Sequence, residues 1–326
     1  MFSWCLNTAV PGKLKALTLV VQPGGFRRYL DENQFIEYYQ CEPHHLDDVL
    51  LPITTLRLCD FYPAWTSQAY HGLVELCLHN RGEHRAYEFP FISQLELLNI
   101  LSHSPKLRVL DLDFEVRDLS DANINIAPVY LGDLEVVRIG SLGRSGSSCP
   151  LSLFSPGSIP LSLSLGISPD ASEESILHNS VITAFFARSN IKNMWLSRTT
   201  YRTILELLSL APHSQELALS GVDFFHLPRE IDNIPYVCRI DKLYLLPSCK
   251  VGLGNLRRIA LAHQIKSILV HEQCTLTLDG SQVPRPSGTL ALQDILRRVC
   301  PSAKWFDSTE PHAWGFPTLY NMGYDI

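Results

Sequence analysis

The chain has 326 residues, 46% hydrophobic and 18% charged, enough material for one large core or two ordinary domains. Lys plus Arg total 27 against 33 Asp plus Glu, a formal charge of −6. A protein that neutralises phosphates shows the opposite balance, so non-specific nucleic-acid binding is excluded, and the ordinary apolar fraction with scattered charge excludes a wholly disordered chain.

In chain order, the predicted elements share one phrase: an aliphatic residue, two variable, a second aliphatic, one variable, a third. It first occurs as Leu14-Leu17-Leu19. An insertion at about 20–52 follows, in which 26–51 has room for a helix; its HHLDD stretch (His44, His45, Asp47, Asp48) reads as a solvated loop. The phrase returns as Ile53-Leu56-Leu58 and Leu73-Leu76-Leu78. A helix over 92–103, stopped by Ser104-Pro105, leads into Leu107-Leu110-Leu112, and Leu134-Val137-Ile139 comes next.

A second insertion at about 141–170 carries no charge from Ser145 to Pro169. Nine Ser and four Pro make that stretch too polar and too broken to span a membrane as a helix. Its run LSLSLGIS suggests an irregular extra strand around Leu161 to Leu165. A helix over 175–188 then precedes Ile191-Met194-Leu196, and one over 202–210 precedes the degenerate Leu217-Leu219. Ile240-Leu243-Leu245, a helix over 253–263, Ile265-Ile268-Val270 and a helix over 290–299 before AKWFD complete the series.

Apolar spacing near 3.6 on the helices and 2 on the strands, joined by a Pro or Ser break, is one supersecondary unit repeated. Leu110 to Val137 spans 27 residues, Met194 to Leu217 spans 23, Leu217 to Leu243 spans 26 and Leu243 to Ile268 spans 25. Leucine-rich repeats run at about 20–29 residues, and 51 Leu supply their core. One strand and one helix cannot bury their own apolar face, so neighbours stack. The expected fold class is α/β: a leucine-rich-repeat solenoid (horseshoe) with parallel strands on the concave face, helices on the convex face and irregular insertions. It occupies 1–306, and 307–326, with Trp314, Phe316, Tyr320 and Tyr324, is a carboxy-terminal cap or a tail.

No catalytic constellation emerges. The adjacent ligand types of HHLDD point apart on any regular element, so no metal site is expected. Gly252-Leu-Gly254 lacks the third Gly of a dinucleotide fingerprint and reads as a helix start. GSLGRSG is not the GxSxG nucleophile elbow. Cys238 and Cys249 flank a strand phrase without a basic or His neighbour. The chain is therefore expected to be no enzyme and to need no cofactor. A doubly wound α/β enzyme is the rival. Its strands are covered on both faces and are apolar throughout, whereas Arg57, Asp111, Arg138, Glu216 and Lys242 occupy the alternate face here.

Those alternate positions define the expected binding surface for a protein partner. Trp195 and Tyr244 are its candidate anchors, since Trp, Tyr and Arg dominate hot spots. Arg57, Asp111 and Arg138 would set register, and His79 and Asp113 lie on the same face. The competing reading packs Trp195 under the Ser/Pro insertion and Tyr244 against a neighbouring rung.

The LxxLxL strands, helices ending in SHSPKLRVLDL or LAPHSQELALS, and irregular insertions resemble fungal F-box/leucine-rich-repeat proteins over roughly 10–306. The resemblance implies substrate recognition for a cullin ubiquitin ligase, with an F-box recruiting a Skp1-like adaptor. Only 13 residues precede Leu14 and no F-box is recognisable, which leaves the adaptor as a doubtful partner. The common consensus also places Asn or Cys three residues after the last strand Leu, where this chain has Phe61, Arg81, Glu115, Leu142 and Val222.

The nine cysteines are odd in number, widely spaced and without a CxxC pair, and no Asn-x-Ser/Thr acceptor exists. With no basic region ahead of the first apolar stretch, the expectation is an intracellular protein, cytoplasmic or nuclear, with reduced thiols and no membrane contact.

Overall fold

Every aliphatic phrase forms a short strand in the computed structural model, which describes residues 9–10, 12–20, 28–29, 43–80, 91–118, 127–142, 149–167, 179–224, 238–278, 281–282, 294, 296–297 and 302–306. The protein is a mixed α/β protein with 11 strands in parallel sheet. It divides into two compact units, Met1–Asn190 and Ile191–Ile326.

In the first unit, β1 (Ala16–Val20), β2 (Thr55–Cys59), β3 (Glu75–His79), β4 (Val109–Asp113), β5 (Val136–Leu142) and β6 (Leu161–Ile167) pair in sequence order. The register sets Leu17, Leu56, Leu76, Leu110, Val137 and Leu163 side by side. A second row aligns Leu19, Leu58, Leu78, Leu112, Ile139 and Leu165. From Leu56 and Leu58 onward these side chains are buried, while β1 is half-exposed. In the second unit, β7 (Ile191–Ser197), β8 (Glu216–Ser220), β9 (Lys242–Leu245), β10 (Ser267–His271) and β11 (Lys304–Phe306) repeat the arrangement. Met194, Leu217, Leu243 and Ile268 form its buried row.

Among the described residues, helices between strands include α1 (Pro43–Leu50), α2 (Gln94–Ser102), α3 (Ser180–Ala187), α4 (Tyr201–Leu210) and α5 (Leu253–Ala262). Ser93 and Glu96 close a reciprocal capping box on α2. Asn179 caps α3 and Thr200 caps α4, each accepting a backbone N–H that would otherwise lack a partner. The Ser breaks after the helices tie rungs together. Buried Ser104 donates to the Tyr70 carbonyl at 3.0 Å and accepts the Leu73 N–H at 3.1 Å. Ser214 donates to the Ile191 carbonyl at 3.4 Å. Gly252 does start a helix, α5, although the short strand Lys250–Gly252 runs directly into it.

Two expectations change. HHLDD lies in α1 rather than in a loop, because one face of that helix buries Val49 and Leu50 while Asp48 stays exposed. Asp47 there accepts the Ser67 hydroxyl at 3.2 Å. The charge-free stretch is ordered over 149–167, and it lacks charge because it is buried. Leu151, Leu153 and Phe154 are inaccessible, the Phe154 ring meets Phe185 edge-on at 5.6 Å, and β6, the extra strand expected around Leu161 to Leu165, pairs parallel with β5 with a register shift between Ile139 and Leu142. The Arg188 guanidinium donates to the carbonyls of Leu151 and Phe154 at 2.8 and 3.1 Å. Most of the helix expected over 290–299, and all of the cap or tail at 307–326, lie outside the described residues. Among the described residues, no helix is long and apolar enough to cross a membrane.

A buried titratable pair links α4 to α5. The Tyr201 hydroxyl is 3.1 Å from His263 Nε2, and His263 Nδ1 lies 3.4 Å from the Cys238 carbonyl oxygen. Burial holds His263 below its ordinary 6.5 and pushes Tyr201 up to about 12.

Two outcomes follow. Leu110→Ala should lower unfolding stability by about 2–5 kcal/mol in urea titration, and Leu17→Ala in half-exposed β1 by less. A histidine held neutral by folding contributes stability that is full above the unfolded pKa, about 6.5, and is lost as pH falls below it. His71, also lowered by burial and by its stacked neighbour His103, acts in the same direction. Stability should therefore decline below pH ~6.5, and an NMR titration should place His263 below its ordinary value.

Candidate functional site

The strand register decides which alternate residues meet. Arg57, Cys77, Asp111, Arg138 and Ser164 form one row across β2 to β6 in the first unit. Cys59, His79 and Asp113 form the next row. Successive residues of a strand face opposite sides, so the side opposite the leucine rows receives all of these groups.

Charges in the two rows are paired across rungs. Arg57 Nε donates to Glu75 Oε1 at 2.6 Å, a bond that raises the Arg57 pKa against the opposing effect of burial. Arg138 Nη1 donates to Asp111 Oδ2 at 3.4 Å, and His79 Nε2 lies 3.0 Å from Asp111 Oδ1 without a hydrogen bond between them. The His79 and Asp111 side chains are 5% and 9% exposed, Arg138 is 16% exposed and Arg57 30%. The seam thus has a buried centre, with Arg57 the more exposed of its two arginines. Asp113 lies over Gly140, where an added Cβ would fall 2.2 Å from its Oδ1, so the glycine makes room for the carboxylate.

The histidine is fixed from behind. Its carbonyl oxygen accepts the Tyr62 hydroxyl and the Asp60 N–H, and the Asp60 N–H also reaches the Tyr62 oxygen at 3.0 Å. Asp60 adopts φ 60, the left-handed turn this contact needs. Tyr62, fully buried with its pKa pushed up by burial, packs on Phe114 at 4.7 Å and on Trp65 at 5.6 Å.

Cys77, His79 and Asp111 bring together residue types used in nucleophilic catalysis. Burial pushes the Cys77 thiol up, and the Asp111 and Glu75 carboxylates push it further. A nucleophile requires the opposite shift. Among the described residues no group of three or more His, Cys, Asp or Glu side chains is placed to hold a metal ion.

In the second unit, Trp195, Ala218, Tyr244 and Leu269 share a row across β7 to β10. Tyr244 is only 7% exposed and packs with Ala218, Leu246 and Phe306, with Trp195 and Leu269 at the margin of the cluster. Its ring is held against neighbouring strands. Lys242 Nζ donates to Glu216 Oε1 at 2.8 Å beside this cluster.

Five of the predicted site residues, Arg57, His79, Asp111, Asp113 and Arg138, therefore gather in the first unit, and Trp195 and Tyr244 gather in the second. Glu75 and Tyr62 are absent from the predicted set. Glu75 was open to detection, since aligning the aliphatic phrases sets it one row from Arg57. Tyr62 carried no such signal, because its contact depends on the turn at Asp60. No protein-family model matches the sequence, and no curated protein matches it.

Removing Arg138 leaves the Asp111 carboxylate largely buried with His79 alone. Arg138→Ala should cost about 3 kcal/mol in chemical denaturation, far more than Arg108→Ala, whose pair with Glu135 is solvent-exposed. Gly140→Ala, which displaces Asp113, should cost about 1–3 kcal/mol.

Proposed function

We propose that the chain is a leucine-rich-repeat solenoid of the irregular F-box-associated kind that recognises a protein substrate for a cullin-type ubiquitin ligase without catalysing a reaction itself. One observation carries the reading: in-register parallel strands bear apolar rows on one side and a polar seam paired across strands, Arg57 with Glu75 and Arg138 with Asp111, beside which His79 lies, on the other. Strands covered on both sides would be apolar on both. A polar seam with a partly exposed Arg57 suits a face that meets another surface.

The pairing also suits recognition. Each charge is already oriented by a neighbour, so little side-chain freedom remains to be lost on binding. Paired charges contribute register and discrimination more than bulk affinity. Asp113 over Gly140 adds a directed acceptor to the same face.

The test is affinity purification of the tagged full chain from its native cells, comparing wild type with Arg57→Glu. A Skp1-like adaptor and a cullin should accompany both proteins. A substrate should accompany wild type and fall by about tenfold or more with the variant, since an opposed like charge costs several kcal/mol. Absence of adaptor and cullin from both would remove ubiquitin ligation and leave a repeat scaffold. A partner set indifferent to Arg57→Glu would remove this face.

A further inference from the structure

In the second unit, the side of the sheet opposite the leucine row carries Trp195, Ala218, Tyr244, Leu269 and Lys304 at one height. His271 and Phe306 are aligned at the next, and their rings meet edge-on at 5.1 Å. The rings on this side are covered beyond what the sheet supplies. Tyr244 has only the methyl of Ala218 on one flank, yet is 7% exposed. Phe306 is also 7% exposed, although β11 is the edge of the sheet. Trp195, Tyr244, His271 and Phe306 each hold a ring, hydrogen-bond or electrostatic contact besides those described above.

The exposed charges in these rows are Lys242 and Lys304, so a covering segment has to be aromatic and acidic. Residues 307–326 have that chemistry: Trp314, Phe316, Tyr320 and Tyr324, with Asp307, Glu310 and Asp325 and no Lys or Arg. They follow directly on Phe306, itself a member of the buried cluster. Right-handed crossovers put α4 and α5 on one side of the sheet, over the leucine row. Residues after β11 join no later strand of that sheet and can cross the other side. Reach is sufficient. The eight residues from Phe306 to Trp314 extend about 26 Å, while β7 lies four strands from β11, about 19 Å.

We infer that residues 307–326 fold back across this side of the second unit. Trp314 and Phe316, two residues apart and so on the same side of an extended chain, seat against Trp195 and Tyr244, and Asp307 and Glu310 lie beside Lys304. The chain's own segment is thus the occupant of the apolar row, and a partner that engages Trp195 or Tyr244 has to displace it. This holds whether or not the protein serves a ubiquitin ligase.

The experiment replaces Trp314 of the full chain by the photoreactive residue benzoylphenylalanine, irradiates dilute protein that circular dichroism shows to be folded, and maps crosslinked peptides by mass spectrometry. The expected product joins position 314 to the strand of Trp195 or Tyr244 within one molecule, and Lys304→Glu should lower its yield severalfold. Crosslinks confined to other parts of the chain or to pairs of molecules, or no crosslink, would overturn the inference. If the Trp314 variant does not fold, the same probe at Phe316 decides by the same criteria.

Discussion

Stacking of equivalent aliphatic side chains between neighbouring strands is the constraint on which both units depend. A five-residue strand such as Val109–Asp113 can bury Leu110 and Leu112 only if another strand presents the same pair at the same height. Slipping one residue would turn both leucines outward and every charge inward. The register is therefore fixed by the apolar rows, and the polar side inherits its order from them.

That inheritance explains the seam. Nothing in Arg57 or Glu75 alone requires them to meet; they meet because Leu56 lies against Leu76 and Leu58 against Leu78. Asp111 is likewise caught between His79 and Arg138 because Leu110 is aligned with Leu76 on one side and Val137 on the other. Removing two such charges from water is costly, and mutual attraction offsets the cost only when the geometry is held. The leucine rows hold it. In the second unit the same inheritance yields an apolar row, Trp195, Ala218, Tyr244 and Leu269, so one backbone rule gives two faces of different chemistry.

The equivalent placement of Cys249 and Cys274 arises from the same periodicity. Cys249 stands four residues after Leu245 and Cys274 four after Val270, so each enters its turn at the same point and meets a carbonyl of the preceding rung. A search three residues after the last strand aliphatic passes over both. The extra residue is visible only once the turn's backbone path is known, with Ser248 in the left-handed region.

The sequence by itself determined the strands of the large parallel sheet and most of the helices, though not the short strands outside that sheet, because alternation of Leu, Ile and Val with polar residues is a local signal that needs no partner to be read. All eleven strands of the parallel sheet, from Ala16–Val20 to Lys304–Phe306, fall on phrases or runs recognisable in the chain. It also set out which residues occupy the alternate face. Tertiary structure alone decided what they do there. Tyr244 packs against Phe306, 62 residues away in sequence, and the Tyr62 hydroxyl fixes the backbone of His79 from across a turn. The uncharged Ser/Pro stretch became a buried rung because Leu151, Phe154 and Phe185 close over one another. Periodicity records which way a side chain faces; whether it is then covered, paired or left open depends on residues distant in the chain.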